Sequence, residues 1–325
     1  MHICFIDKTN FYYDANSLYS KELRGAESVI INLSNALASL GIRVTVINNC
    51  FKSTLINGVN WINIQSIKEI SEYDLVVSNG DCRLFKYAKS KKNILFSHSL
   101  QNIEKFIRKK QLISYLKYKP KICFLSDYHK KNRSKLLYLF GEIHLKWAVD
   151  KIFLDTTISE NINNHIAVFT SRPDRNLKML IDIWTRLVVP NNKKLQLLVT
   201  ENNFDYFDKS IISRKLGDQR SLVKDLQSAR MLVMPGHKAE LYCLAAEEAR
   251  ELCIPIVTMG IGSLSERVIH KKTGFIAKNE YDFASYILKL FSDDSIWKLQ
   301  RENLKKSRKI NTWKKVAEEL IRQNF

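Results

Sequence analysis

The sequence predicts an α/β chain of two parallel-sheet domains, and three observations carry the prediction. The chain has 325 residues, 45% of them apolar, which suits two domains of roughly 100 to 200 residues each. Short apolar runs alternate with amphipathic ones, as strand–helix–strand units require. That alternation then restarts near residue 150.

Residues 2–6 read as the first strand, residues 28–40 as an amphipathic helix stopped by Gly41, and residues 44–47 as a β-branched second strand. A strand, helix and strand joined in this way imply a parallel, right-handed unit. Residues 75–78, 94–97 and 122–126 are short and apolar and run into polar residues, as buried parallel strands do. The first domain, residues 1–149, is therefore expected to be Rossmann-like.

Residues 166–170, 177–188 and 195–200 reopen the pattern as strand, helix and strand. A helix near 221–229, a strand at 231–234, a helix at 241–252 and a strand at 256–258 continue it, and a helical region closes the chain from 281 to 323. The second domain is expected over residues 150–310, with a cleft between two facing parallel sheets. The boundary rests on the restart alone, because the chain holds no internal repeat and no low-complexity linker.

Composition narrows the setting. The six cysteines form no C-x-x-C pair, and Cys4, Cys123 and Cys253 sit in apolar runs, so all six read as reduced core thiols of a cytosolic protein. Residues 1–7 enter an apolar strand with no basic segment before it, and no stretch approaches the roughly 18 apolar residues of a membrane span. A chain neither secreted nor transmembrane is the expectation.

The net charge of +19 is concentrated: residues 85–135 hold fifteen Lys and Arg against two acidic residues. Within that stretch, residues 104–121 carry seven cations around Phe106, Ile107, Ile113 and Leu116 at loosely helical spacing. The segment reads either as an anionic-membrane dock or as a solvated face. A nucleic-acid groove fits less well, since no helix-turn-helix, finger or RNA-recognition signature accompanies the charge.

The chemistry concentrates at residues 234–275, MPGHKAELYCLAAEEARELCIPIVTMGIGSLSERVIHKKTGF. A strand ends in Pro235, Glu240 follows, and after seven residues comes Glu248-Ala249. Pro255-Ile256-Val257 opens the next strand, Gly262 and Glu266 lie in the turn after it, and Thr273-Gly274-Phe275 ends the run. This pattern resembles the retaining glycosyltransferases of family 4, the glycosyl transferases group 1 with the GT-B fold.

If a helix starts just after Glu240, its free N–H groups and dipole face a diphosphate across the strand ends. Eight helical steps then span about 12 Å, the scale separating a donor's sugar from its ribose. The resemblance assigns Glu240 to the transferred sugar, Glu248 to the ribose hydroxyls and Gly262 to the donor site.

Residues 167–184, AVFTSRPDRNLKMLIDIW, resemble the segment that opens the family's donor domain, placing Arg172 and Arg175 as the two cations on the diphosphate. Fixed cations that engage the leaving phosphate most strongly in the transition state lower the barrier. Residues 22–49 resemble the opening of the acceptor domain. There Gly25 would allow close backbone approach, and Glu27 is either a charge favoured at a helix start or a ligand contact.

His98 follows an apolar strand in LFSHSLQ, so its side chain is expected at the strand's carboxyl end, where doubly wound sheets place ligands. It is either a hydrogen-bonded structural residue or, as the resemblance implies, a residue beside the reacting sugar. The other six histidines have no metal-ligand spacing. The closing stretch, residues 311–325, resembles the family's last helix, which packs back on the first domain.

The sequence departs from the family at Leu241-Tyr242-Cys243, where Gly-Phe-Gly is usual, and at Ile254 and Ser263, where glycines are usual. The resemblance implies transfer of a sugar from a nucleotide diphosphate to a glycan or glycolipid of a bacterial envelope, such as lipopolysaccharide or capsule. The enzyme would be cytoplasmic or peripheral on the inner membrane face. No cofactor is expected, and with no Asp-x-Asp pair the transfer is expected to be metal-independent. Two alternatives stand beside this one: a nucleotide-sugar 2-epimerase of the same architecture, and a non-catalytic basic protein that binds nucleic acid or a membrane surface.

Overall fold

The computed structural model describes every residue except 21, 24, 101, 135, 136, 138, 160–164 and 201–207. The chain divides into two compact units, one of Met1–Ala148 with Thr312–Phe325 and one of Val149–Asn311. Each is an α/β unit built on its own largely parallel sheet.

The first unit opens with β1 (His2–Ile6), α1 (Gly25–Ser39), β2 (Arg43–Asn48), β3 (Thr54–Ile56), β4 (Val59–Asn63) and β5 (Leu75–Asn79). It continues with β6 (Asn93–Phe96), α2 (Ile103–Arg108), α3 (Leu112–Tyr118), β7 (Lys121–Phe124), α4 (Asp127–Lys131) and β8 (Glu142–His144). The sheet order is β3-β4-β2-β1-β5-β6-β7-β8. Every pairing is parallel except the edge hairpin β3–β4. Leu75, Val76 and Val77 of β5 are all fully buried, which is why the inner strands read as unbroken apolar runs. The hairpin turns through Asn57 and Gly58, at φ of 53° and 77°, the left-handed pair that two-residue hairpins favour.

The second unit contains α5 (Lys151–Asp155), β9 (Ile166–Phe169), α6 (Leu177–Ile183), β10 (Gln196–Thr200), β11 (Ile211–Arg214) and α7 (Gln219–Ser228). After these come β12 (Met231–Gly236), α8 (Leu244–Glu251), β13 (Ile256–Ile261), β14 (Gly274–Ile276), α9 (Glu280–Ser292) and α10 (Asp294–Lys305). Its sheet is parallel throughout, in the order β11-β10-β9-β12-β13-β14. Phe169, Trp184 and Phe283 are fully buried in its core. The helix expected over 177–188 is α6 followed by one wide π-turn, Trp184–Val188, and the Trp184 indole donates to Ser210 Oγ at 3.0 Å.

The last helix, α11 (Trp313–Arg322), belongs to the first unit, where it lies against α1. Its Trp313 ring stacks on Trp147 at 6.1 Å. Five strands go beyond those read from the sequence: β3, β4, β8, β11 and β14. None exceeds five residues, and all but β4, which lies next to an edge, are edge strands, where alternation is too short to register. All six cysteines are buried and unpaired. Among the described residues no helix is long and apolar enough to cross a membrane.

The strand orders decide where ligands can approach. In the first sheet the chain runs from β1 outward to β2 and later returns to β5 on the other side of β1. In the second it runs from β9 outward to β10 and returns to β12. The carboxyl ends of β1 and β5, and of β9 and β12, therefore border switch points, where open α/β sheets bind ligands.

Candidate functional site

At the switch point of the second sheet, the loop leaving β9 carries Arg172 and Arg175. Asn176 ends that loop in the left-handed conformation, φ 65°, and its amide donates to the Gly236 carbonyl at 2.5 Å. This bond ties the two strand ends together. Arg175 reaches across to Glu240, Nε to Oε2 3.4 Å, and its Nη1 lies 3.2 Å from Asp174 Oδ2. Arg172, about half exposed, forms an ion pair with Asp174.

The arginine pair holds Asp174 below the usual carboxylate range. Glu240 responds in the opposite direction: burial raises its pKa, partly offset by Arg175, Arg172 and the backbone N–H of Cys243. The result is two cations and two carboxylates packed where a phosphate could exchange for a carboxylate partner.

The loop from His237 to Cys243 is shaped from below by Gly262. At φ 75° its missing Cβ would sit 2.4 Å from the His237 carbonyl oxygen and 2.8 Å from that of Glu240. The Ser263 N–H donates to the Glu240 carbonyl at 2.9 Å. Gly262, expected in the donor site, is buried beneath this loop and sets its course from there.

The helix expected to start right after Glu240 begins later. Cys243 holds a left-handed conformation, φ 65° and ψ 76°, and α8 starts at Leu244. Glu240 thus stands in the loop ahead of the helix rather than on it, and the helical measure between Glu240 and Glu248 does not apply. The physical reason is the close packing of this loop on Gly262, which forces a turn before the helix can begin.

On α8 the neighbouring acids part company. Glu247 is clamped between Arg250 at 2.7 Å and Arg267 at 3.2 Å. Arg267 also donates to the Tyr242 carbonyl at 2.9 Å and lies 4.1 Å over the Tyr242 ring. Among the described residues Glu248 has no such cation; burial, reinforced by the charge of Asp150, pushes its pKa up to about 8. The clamp holding the Leu241-Tyr242-Cys243 departure was not read from the sequence, because Glu247 and Arg267 pair only once the turn after β13 folds back.

The first sheet places a different set of groups at its switch point. Asp7 directly follows β1, is 5% exposed, and accepts the Tyr13 hydroxyl at 2.5 Å and the Lys8 N–H at 2.9 Å. Asn79 ends β5, helps to lower the pKa of the neighbouring Asp7 carboxyl, and accepts from His98 Nε2 at 2.5 Å through Oδ1. Burial lowers the His98 pKa to about 4. Glu27 lies buried in the first turn of α1, and its charge helps raise the Tyr13 hydroxyl. Gly25 is the first residue of α1, and its carbonyl accepts Ser28 Oγ at 3.0 Å. Sequence reasoning reached His98, Gly25 and Glu27 but missed Asp7, Tyr13 and Asn79; an acid ending the apolar run HICFI was the available signal.

Beside Asn79 opens a concavity of about 440 Å³ lined by Arg83, Arg108, Lys109 and Lys110. The basic segment itself forms α2 and α3. Phe106 is 4% exposed and belongs to the core, which corrects its placement on an apolar docking face, whereas Ile107, Ile113 and Leu116 are 57%, 82% and 48% exposed. Another concavity, of about 570 Å³ around Lys193, Lys194 and Lys209, opens at the amino ends of β9 and β10, away from the switch point.

Residues 155–310 match the family described as glycosyl transferases group 1. The match lies within the second unit, and the enzyme class it marks is glycosyltransferase. No curated protein matches the chain by sequence. Solved structures share its fold at low identity. Sucrose-phosphate synthase from Thermosynechococcus elongatus superposes with a TM-score of 0.72 at 14% identity, over 99% of this chain and 98% of its own. Anabaena HepE in complex with UDP-glucose gives 0.72 at 12% identity, over 99% of both chains. WaaG, a glycosyltransferase involved in lipopolysaccharide biosynthesis, gives 0.68 at 11% identity, over 98% of both. The GT-B fold, two Rossmann-like domains with parallel sheets, is thereby established.

Proposed function

We propose, from the premise that residues 155–310 are a glycosyl transferases group 1 domain, that this chain is a retaining glycosyltransferase. It moves a sugar from a nucleotide diphosphate to a glycan or glycolipid acceptor. The observation that carries the reading is the Arg175–Glu240 pair, 3.4 Å apart, beside Arg172 at the switch point of that domain.

Breaking the bond between sugar and phosphate leaves negative charge on the nucleotide, and Arg172 and Arg175 are placed to take it up. Glu240, released from part of its arginine contact by the incoming phosphate, accepts a hydroxyl of the transferred sugar. Glu248 takes the ribose hydroxyls from α8. The acceptor hydroxyl then attacks from the face the phosphate leaves. Two arginines supply the charge that a divalent metal supplies elsewhere, so chelation should leave the rate unchanged.

The acceptor reading rests on the first unit. Hydrogen-bonding groups at its switch point adjoin the cationic concavity at Asn79, which suits an acceptor bearing phosphate or carboxylate. Exposed Ile107, Ile113 and Leu116 among the lysines of α2 and α3 support peripheral docking on an anionic membrane, each cation contributing about 1 kcal/mol near the surface. The link of WaaG to lipopolysaccharide biosynthesis supports an envelope-polysaccharide role, and UDP-glucose in HepE makes uridine diphosphate sugars the first donors to try.

The test is thermal unfolding of wild type and Glu248→Ala with UDP-, GDP-, ADP- and CMP-sugars. A ligand at 100 times its dissociation constant stabilises by about 2.7 kcal/mol. Stabilisation by one nucleotide class, lost in Glu248→Ala, is expected; no response to any class would overturn the reading.

A further inference from the structure

The carboxyl ends of β1, β5 and β6 hold a row of polar groups that the donor chemistry does not use. Tyr13 donates to Asp7 at 2.5 Å, Asn79 acts on Asp7 from the neighbouring strand, and His98 Nε2 meets Asn79 Oδ1 at 2.5 Å. Asp7 accepts from Tyr13 and from the Lys8 N–H, and the neighbouring Asn79 side chain helps to lower the pKa of its carboxyl. Asn79 turns its Oδ1 to His98 Nε2. An amide oxygen only accepts, so the His98 nitrogen facing it carries the hydrogen.

We propose that Asn79, through the Oδ1 it turns to the ring, is a positioning residue that fixes His98 as the Nε2–H tautomer and leaves Nδ1 as the ring's only acceptor, for a substrate hydroxyl. The inference rests on the glycosyltransferase reading for the identity of that hydroxyl, but the tautomer itself does not. Three features of the structure favour a built site over incidental packing. Asp7, Tyr13 and Asn79 are 5%, 1% and 9% exposed, and unpartnered they would each be costly to bury. The row crosses the sheet's switch point. Asn79 also lines the open concavity, so a ligand can reach the row at Asn79.

The ionisable groups around the ring are few. Asp7 stands behind Asn79 on the β1 side, and Glu27 on α1 acts on Tyr13. On α4, next to β7, the fully buried His129 feels the charges of His98, Arg133 and His144, and burial holds its pKa near 3. No carboxylate acts directly on His98, whose pKa is pushed down by burial alone. The ring is thus neutral in the physiological range and works as a hydrogen-bond acceptor rather than as an acid.

The deciding measurement is long-range ¹H–¹⁵N correlation of the His98 ring in the full-length protein, compared with Asn79→Ala and Asn79→Asp. In wild type the Nε2–H tautomer should persist from pH 8 down to about 5, given a pKa near 4. Asn79→Ala should mix the tautomers and lower kcat roughly 10- to 100-fold with the donor KM unchanged. Asn79→Asp should keep Nε2–H and raise the His98 pKa by about one unit or more, moving the acid limb of the rate profile with it. A wild-type ring protonated at Nδ1, or an Asn79→Ala ring unchanged from wild type, would overturn the proposal, and the first result needs no variant to fold. Loss of donor stabilisation alone, with the Nε2–H ring intact, would count against the glycosyltransferase reading and leave the Asn79–His98 relation standing.

Discussion

The two sheets present contrasting chemistry at equivalent places. At the second switch point, between β9 and β12, the groups are charged: Arg172, Asp174, Arg175 and Glu240. At the first, between β1 and β5, Asn79 and His98 hydrogen-bond beside one buried carboxylate, Asp7. The same topology can thus serve different ligands. In the proposed reading, fixed cations answer a diphosphate, whose charge grows during the reaction, and neutral donors and acceptors answer hydroxyls, whose recognition depends on direction.

If fixed charge is what the second site contributes, its removal should have the largest effect. Arg175→Ala is expected to lower kcat/KM for transfer by about 100- to 1000-fold, the range seen when one stabilising donor is lost. Arg175→Lys should recover only part of that, because a point charge cannot reproduce the fork of a guanidinium. Steady-state kinetics with the donor found in the thermal screen measures both. An Arg175→Ala enzyme within tenfold of wild type would erase the contrast between the two sites.

A second perturbation tests whether loop shape matters as much as charge. In Gly262→Ala the new methyl would meet the His237 carbonyl oxygen at 2.4 Å with φ at 75°. Strain of this kind costs about 1–3 kcal/mol, so the midpoint of thermal unfolding should fall, and donor stabilisation should shrink as the His237–Cys243 loop shifts. Unchanged donor binding in a destabilised protein would confine Gly262 to folding.

The smallest expected effect is on pH dependence, and it sharpens the comparison by singling out an acid without a cation. Folding raises the Glu248 pKa to about 8, so the folded state holds this proton more tightly than the unfolded chain. Its stabilising contribution is present at low pH and is lost as pH rises from about 4.5 to 8. Glu248→Gln should therefore flatten the fall in urea midpoint between pH 5 and 8.5. An identical slope in the two proteins would mean that Glu248 ionises freely in the folded state.

Some of this was legible without coordinates. The inner strands were readable because burial on both faces leaves an unbroken apolar run, and the restart near residue 150 followed from the same signal. Arg172, Arg175, Glu240 and Glu248 were readable because they fall within short stretches whose spacing resembles a known family. Edge strands such as β8 and β14, three residues each, left no periodicity to find.

The sequence by itself determined the alternation of strands and helices, the two-domain division and the positions of the charged motif, because each of these is written in local hydrophobic period and spacing. Tertiary structure alone decided that Glu240 stands in a loop held by Arg175, since the start of α8 depends on how that loop packs on Gly262. It alone buried Phe106 while leaving Ile107 and Ile113 exposed. And it alone joined Asp7, Asn79 and His98, whose meeting is fixed by the order in which β1, β5 and β6 pair, a property of the sheet that no spacing along the chain encodes.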